Sequence, residues 1–216
     1  MKPNIEAIKS ASDSSSAGQV INKSGLYTIN IVKAYMKTKE GTGAKTLNLR
    51  VNVNGSEGQQ VLFIKQTNNN GKESFEKILL DKLLVVCGIE EVKRLIPTKF
   101  TYKNKEYMED CIKELENKEL IVQVKQEFSK WNGQIKENFK VINFFRSGDK
   151  ATAAEIVNED NFGKKYHSLD ESYINATSYK DGVTETQAKL WLESRKNGNQ
   201  QTSVNNNVDE NDEIPF

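Results

Sequence analysis

The chain has 216 residues, 36% of them hydrophobic and 28% charged, which allows one good-sized domain with polar tails or two small domains. No apolar run approaches the roughly 20 residues of a membrane span, and Met1-Lys2-Pro3-Asn4-Ile5-Glu6 lacks the apolar core of a signal peptide. Lys and Arg number 31 against 30 acids, but the last four charges, Asp209, Glu210, Asp212 and Glu213, are all acidic; without them 31 basic residues face 26 acids, a net charge of +5. A basic body with an acidic tail fits a polyanionic partner and a tail able to compete for the same surface, although +5 is also unexceptional for a body of this size. Cys87 and Cys111 lie too far apart for a metal or redox motif and read as small buried residues of a reduced, cytoplasmic protein.

Residues 1–24 are expected to be a flexible N-terminus, because Ser10 to Gly18 has nothing to bury. Order is expected from Gly25. Leu26 to Met36 reads as a long first strand, and Lys39 to Gly43 as a turn. Lys45 to Asn54 alternates strictly: Leu47, Leu49, Val51 and Val53 face a core, while Asn48, Arg50, Asn52 and Asn54 face water. Gln60 to Gln66 makes a third strand in which Val61, Leu62, Phe63 and Ile64 are expected to be largely buried. The period then becomes helical. Ser74 is a candidate cap, and Phe75, Ile78, Leu79, Leu83 and Val86 recur up to a Gly88 stop. A turn over 90–96, a short hairpin over Phe100–Tyr107 and a helix over Asp110–Asn117 are expected next. Two strands follow, Leu120–Phe128 and Gln134–Phe145, joined by Trp131-Asn132-Gly133. Short helices are expected over Thr152–Val157 and Thr186–Lys196.

Three strands, a helical insertion and two more strands is the order of an OB fold, a small, partly open barrel, though other β-rich topologies read alike. The expected class is mainly β with helical insertions: a five-stranded OB-fold barrel over 25–158, a partly helical extension over 159–196, and a disordered linker and tail over 197–216.

The sequence ends Val208-Asp209-Glu210-Asn211-Asp212-Glu213-Ile214-Pro215-Phe216, after an Asn/Gln-rich stretch with too little apolar surface to fold. This tip resembles that of bacterial single-stranded-DNA-binding proteins, an acidic run followed by Ile-Pro-Phe. Within 24–158 the chain also resembles phage-encoded proteins of that class, through Ser24-Gly25-Leu26-Tyr27, Ala34-Tyr35, Gly43-Ala44-Lys45-Thr46-Leu47-Asn48-Leu49, Leu120-Ile121-Val122-Gln123-Val124 and Ala153-Ala154-Glu155-Ile156. The helical insertion and the 159–200 region depart from the cellular bacterial proteins, which are tetramers. Whether this chain forms a homo-oligomer stays open. The resemblance implies single-stranded DNA as partner in phage replication, recombination or repair. It also implies that Asp209, Glu210, Asp212, Glu213, Ile214, Pro215 and Phe216 recruit a helicase, polymerase, primase or recombinase. A solvated acidic tail is the plainer reading. If the tail also folds back onto the basic surface, deleting 208–216 tightens DNA binding at low salt.

Sequence-tolerant binding of single strands needs cations along the phosphates and aromatic faces for the bases. Lys33, Tyr35 and Lys37 cluster on strand one, Arg50 lies opposite the core on strand two, and Lys65 ends strand three. Tyr102 and Lys103 sit in a dense basic-aromatic stretch; Lys130 and Trp131 sit at a turn. Each also has an ordinary reading as a packed ring or solvated cation, and Tyr27 and Phe63 read as core. His167, the single histidine, has no nucleophile motif around it, and no phosphate-cradling Gly loop or metal-ligand spacing occurs. The expectation is a non-enzymatic binder with no cofactor, no metal and no membrane partner. An RNA-binding or strand-annealing protein and a protein adaptor are the alternatives.

Overall fold

The computed structural model describes residues 20–56 and 59–198. The sequence expectations for residues 1–19 and for the linker and acidic tail, Asp209 to Phe216 included, lie outside these residues.

The chain is mainly β with a few helices, built on one open, mostly antiparallel sheet of eight strands. The five expected strands are present: β1 (Gly25–Thr38), β2 (Lys45–Val53), β3 (Gln59–Lys65), β6 (Glu119–Trp131) and β7 (Gln134–Arg146). The expected hairpin around Lys103-Asn104 also forms, as β4 (Ile96–Tyr102) and β5 (Lys105–Cys111), and with the two-residue β8 (Ser178–Tyr179) it brings the sheet to eight strands, which corrects the five of the expected barrel. Strand β1 is long enough to pair with β6 through its first half and with β2 through its second. The order β3-β2-β1-β6-β7 results, and β3 and β7 approach each other without a shared ladder.

A bulge in β1 between Ile31 and Lys33 sets which side chains face the core. Before it Ile29 and Ile31 point inward; after it Ala34 does, and Lys33, Tyr35 and Lys37 turn to the outer face. Strand β2 alternates as its sequence dictates, with Leu47, Leu49, Val51 and Val53 fully buried. In β3 only Leu62 and Ile64 are buried, while Phe63 is 38% exposed on the outer face, so the expectation of a largely buried run is corrected. Register explains it: Phe63 pairs with Asn48, and Leu62 pairs with Leu49.

Ser74 accepts a hydrogen bond from the Glu76 amide at 3.2 Å and opens a 3-10 turn, Phe75–Lys77, that leads into α1 (Ile78–Val86). Leu79, Leu83 and Val86 bury into the core against β7, whereas Phe75 and Ile78 remain exposed. Gly88, at φ 66°, supplies the left-handed residue just past the helix. The helix expected over Asp110–Asn117 does not form. Asp110 and Cys111 complete β5 on the edge of β1, the Ile112 amide donates to the Ala34 carbonyl, and only Lys113–Leu115 makes a 3-10 turn.

Thr152 and Glu155 form a reciprocal capping box that starts α2 (Ala153–Asn158). Beyond it, α3 (Lys164–His167) lies beside the end of β7, where Tyr166 meets Phe145 edge-on, and α4 (Glu171–Asn175), β8 and α5 (Glu185–Gly198) continue along β6 to the far end of the β6–β7 hairpin. There Phe128, Val183 and Ala188 make a second small core with Ile135, Trp191 and Leu192. Order begins before Gly25: Ile21 is buried and exchanges two hydrogen bonds with the Gln60 carboxamide, at 2.8 and 3.0 Å.

Candidate nucleic-acid interface

The outer face of β1-β2-β3 is built by register alone. Lys33 lies opposite Arg50, Tyr35 opposite Asn48 and Lys37 opposite Thr46; Arg50, Asn48 and Thr46 in turn face Val61, Phe63 and Lys65. Onto this face folds the β4–β5 hairpin. Its turn residues Lys103 and Asn104 both have positive φ, 47° and 62°, the geometry whose twist suits a two-residue hairpin. Alternation in β4 directs Phe100 and Tyr102 inward and leaves Pro97, Lys99 and Thr101 exposed.

Phe100 packs on Tyr35 with ring centroids 5.3 Å apart, and Tyr107 stacks on Phe100 at 5.3 Å and 13°. The Arg50 guanidinium lies 4.3 Å from the Tyr102 ring centroid and 5.2 Å from that of Phe100, and it donates to the Gln59 side chain. The Tyr102 hydroxyl donates to the Gln59 carbonyl at 3.2 Å. The expected wet face of β2 is therefore covered at its centre: Arg50 is 5% exposed and Tyr35 2%. A cation sandwiched against desolvated rings gains more than one in water, which accounts for a buried Arg on a strand otherwise read as half-wet.

Seven of the nine DNA-binding candidates thus come together: Lys33, Tyr35, Lys37, Arg50, Lys65, Tyr102 and Lys103. Their accessibility differs. Lys33 is held by Glu116 at 2.9 Å, and Glu116 also takes Lys113 at 3.1 Å, so its charge is largely spent within the protein. Lys37 is half-buried on the outer face. Burial pushes the Lys65 ammonium below its ordinary pKa, with Glu76 pulling it up and Lys140 pushing it down. Lys103 is exposed and its ammonium lies 5.5 Å from the Tyr102 ring centroid.

Lys130 and Trp131 do not join this cluster. They occupy the tip of the β6–β7 hairpin, beyond the start of β1, where Asn132 and Gly133 make the turn with φ 48° and 78°. Trp131 is half-buried under the Lys136 ammonium, 4.2 Å from its ring centroid. Sequence reading missed Phe63, taken as core, and Lys136 as members of these surfaces, while Phe100 and Tyr107 belong to the basic-aromatic stretch it singled out. The alternation of Phe63 with the buried Leu62 and Ile64 was the available signal.

Within β6, Glu127 is buried and bridges Lys180 at 2.8 Å and Lys140 at 3.0 Å. Burial alone raises its pKa, but hydrogen bonds and charge from the two lysines outweigh this and hold the carboxyl below its ordinary value. Cys87 is free, and burial pushes its thiol up to about 11, so the side chain is a protonated thiol near neutral pH. Among the described residues, no group of three or more His, Cys, Asp or Glu is placed to hold a metal, and no helix is long and apolar enough to cross a membrane.

Compared with known proteins, the chain matches no family model, no curated protein and no solved structure.

Proposed function

We propose that this protein is a non-enzymatic binder of single-stranded DNA, largely sequence-tolerant, acting in replication, recombination or repair of phage DNA. The observation that carries the reading is the convergence of cations and aromatic rings on the outer face of one sheet: Lys37, Lys65 and the open ring of Phe63, with Tyr102 and Lys103 at the hairpin turn above Arg50. Phosphates would follow the lysines and bases would stack on the rings, each stacked base contributing about 1–3 kcal/mol. The strand order, with α1 between β3 and the later strands and β3 drawn toward β7, fits a partly open OB barrel enlarged by the β4–β5 hairpin. In this reading the acidic tail, ending Ile214-Pro215-Phe216, recruits a replication or recombination protein.

Titration of fluorescently labelled poly-dT at several salt concentrations tests the proposal. Binding should weaken with salt at a log–log slope of about 0.7 per phosphate contacted. Lys37→Ala and Lys65→Ala should each lower that slope by about one contact, and Phe63→Ala should cost about 1–3 kcal/mol of affinity. No binding at low salt would remove the proposal and leave a protein adaptor as the reading of the tail.

A further inference from the structure

The outer face of β2 carries a feature that phosphate binding and stacking do not use. Asn48 is 4% exposed, between Tyr35 and Phe63 in register, and its carboxamide Oδ1 makes no hydrogen bond. Asn52, on the same face and two positions beyond Arg50, also has a buried Oδ1 without a partner. A buried carbonyl oxygen left unpaired is costly, and nearly all such groups in folded proteins find a donor. Two of them flanking one buried Arg, on the face where the candidate ligand residues gather, call for a donor from outside the chain.

The cover above them has the chemistry of the missing ligand. Phe100 and Tyr102 are flat rings laid against a guanidinium, and an exposed base of a single strand stacks on such a plane in the same way. We infer that the β4–β5 hairpin is a cover that swings aside on binding, so that nucleobases take the place of its rings over Arg50 while Tyr102 and Lys103 flank the bound strand, and that Asn48 and Asn52 read those bases through exocyclic amino groups. The inference rests on the single-strand reading and deepens it.

Cytosine and adenine each present an amino group, at N4 and N6, to a carbonyl acceptor. Thymine has none. Its one ring N–H lies between two carbonyl oxygens, which meet a carboxamide oxygen unfavourably. The site therefore adds a preference for amino-bearing bases to an otherwise sequence-tolerant affinity.

The test compares oligo-dC with oligo-dT of equal length at one salt concentration, two pyrimidines of similar stacking. The unmodified protein should bind oligo-dC several-fold more tightly. Asn48→Val should weaken oligo-dC binding about tenfold, the scale of one good base contact, and leave oligo-dT nearly unchanged. The same substitution should raise Tm by a few degrees, because the unpaired oxygen is gone and valine suits a strand. A purely structural asparagine would not move base preference and Tm in these directions together. Asn52→Val serves the same purpose should Asn48→Val fail to fold. Equal affinity of the unmodified protein for both oligomers, or a preference that survives both substitutions, overturns the base-reading site while the single-strand reading stands. No binding to either oligomer overturns both.

Discussion

Glu127 shows how a single side chain ties the extension to the sheet. Its carboxylate is 8% exposed and held by Lys180, from the segment after β8, and Lys140, from β7. Glu127→Gln removes the charge from a buried, charge-assisted pair and should cost about 1–3 kcal/mol, measured as a shift in urea midpoint. The folded carboxyl sits below its ordinary value, so its contribution is fully present above the unfolded carboxylate pKa of about 4.3 and is lost as pH falls through the folded value. The wild type should therefore lose stability below about pH 4 more steeply than Glu127→Gln; parallel pH profiles would contradict the pairing. Arg50 teaches a related lesson about legibility. Alternation in β2 placed it opposite the core, and the structure agrees. Nothing within ten residues announces that Phe100 and Tyr102, some fifty residues on, cover it. Period-two patterning reports which face a residue takes, not what later lands on that face.

Among the elements, tight turns were legible because their chemistry is local. Asn132-Gly133 and Lys103-Asn104 both turn a hairpin through positive φ. The bulge in β1 was not legible, since Ile29 to Met36 is apolar enough to be read in either phase. That bulge alone decides that Lys33, Tyr35 and Lys37 share the outer face. The helix expected over Asp110–Asn117 failed for a similar reason: its charged, weakly periodic run was captured by pairing with β1 and β4. Two glycines give a paired test of local constraint. Gly133 and Gly163 have nearly equal φ, 78° and 77°, but a Cβ on Gly133 meets nothing within 4 Å, whereas one on Gly163 lies 2.5 Å from the Asp149 carbonyl oxygen. Gly133→Ala should cost about 1–2 kcal/mol, the left-handed penalty alone. Gly163→Ala adds a backbone collision and should cost clearly more, lowering Tm by about 2–4 °C for each kcal/mol. Equal losses in thermal unfolding would show that the backbone around Asp149 and Gly163 yields freely.

At the scale of the molecule, the extension and the sheet share polar and apolar anchors. The Ser24 hydroxyl donates to the Ala176 carbonyl at 2.7 Å and accepts from the Gln126 amide at 2.9 Å; Thr177 donates to the Gln126 side chain at 3.2 Å. Phe128 stacks on Tyr179 and meets Trp191 edge-on, both with centroids 6.0 Å apart. The segment before β1, the β6–β7 hairpin and the extension thus hold one another, which the weak patterning after Asn158 did not foretell. Such sharing predicts a single cooperative transition. Both tryptophans, Trp131 and Trp191, lie at the far end of that hairpin, so fluorescence follows the hairpin and extension while far-ultraviolet circular dichroism follows the whole sheet. In urea the two probes should give coincident curves. Phe128→Ala removes the ring at the centre of the second core and should cost about 3–5 kcal/mol. It should also split the curves, with fluorescence changing first, because the extension then detaches before the main core of β1, β2 and α1 gives way. Separate transitions in the unmodified protein would mean instead that the extension is an independent unit and that Glu127, Ser24 and Phe128 only decorate its contact with the sheet.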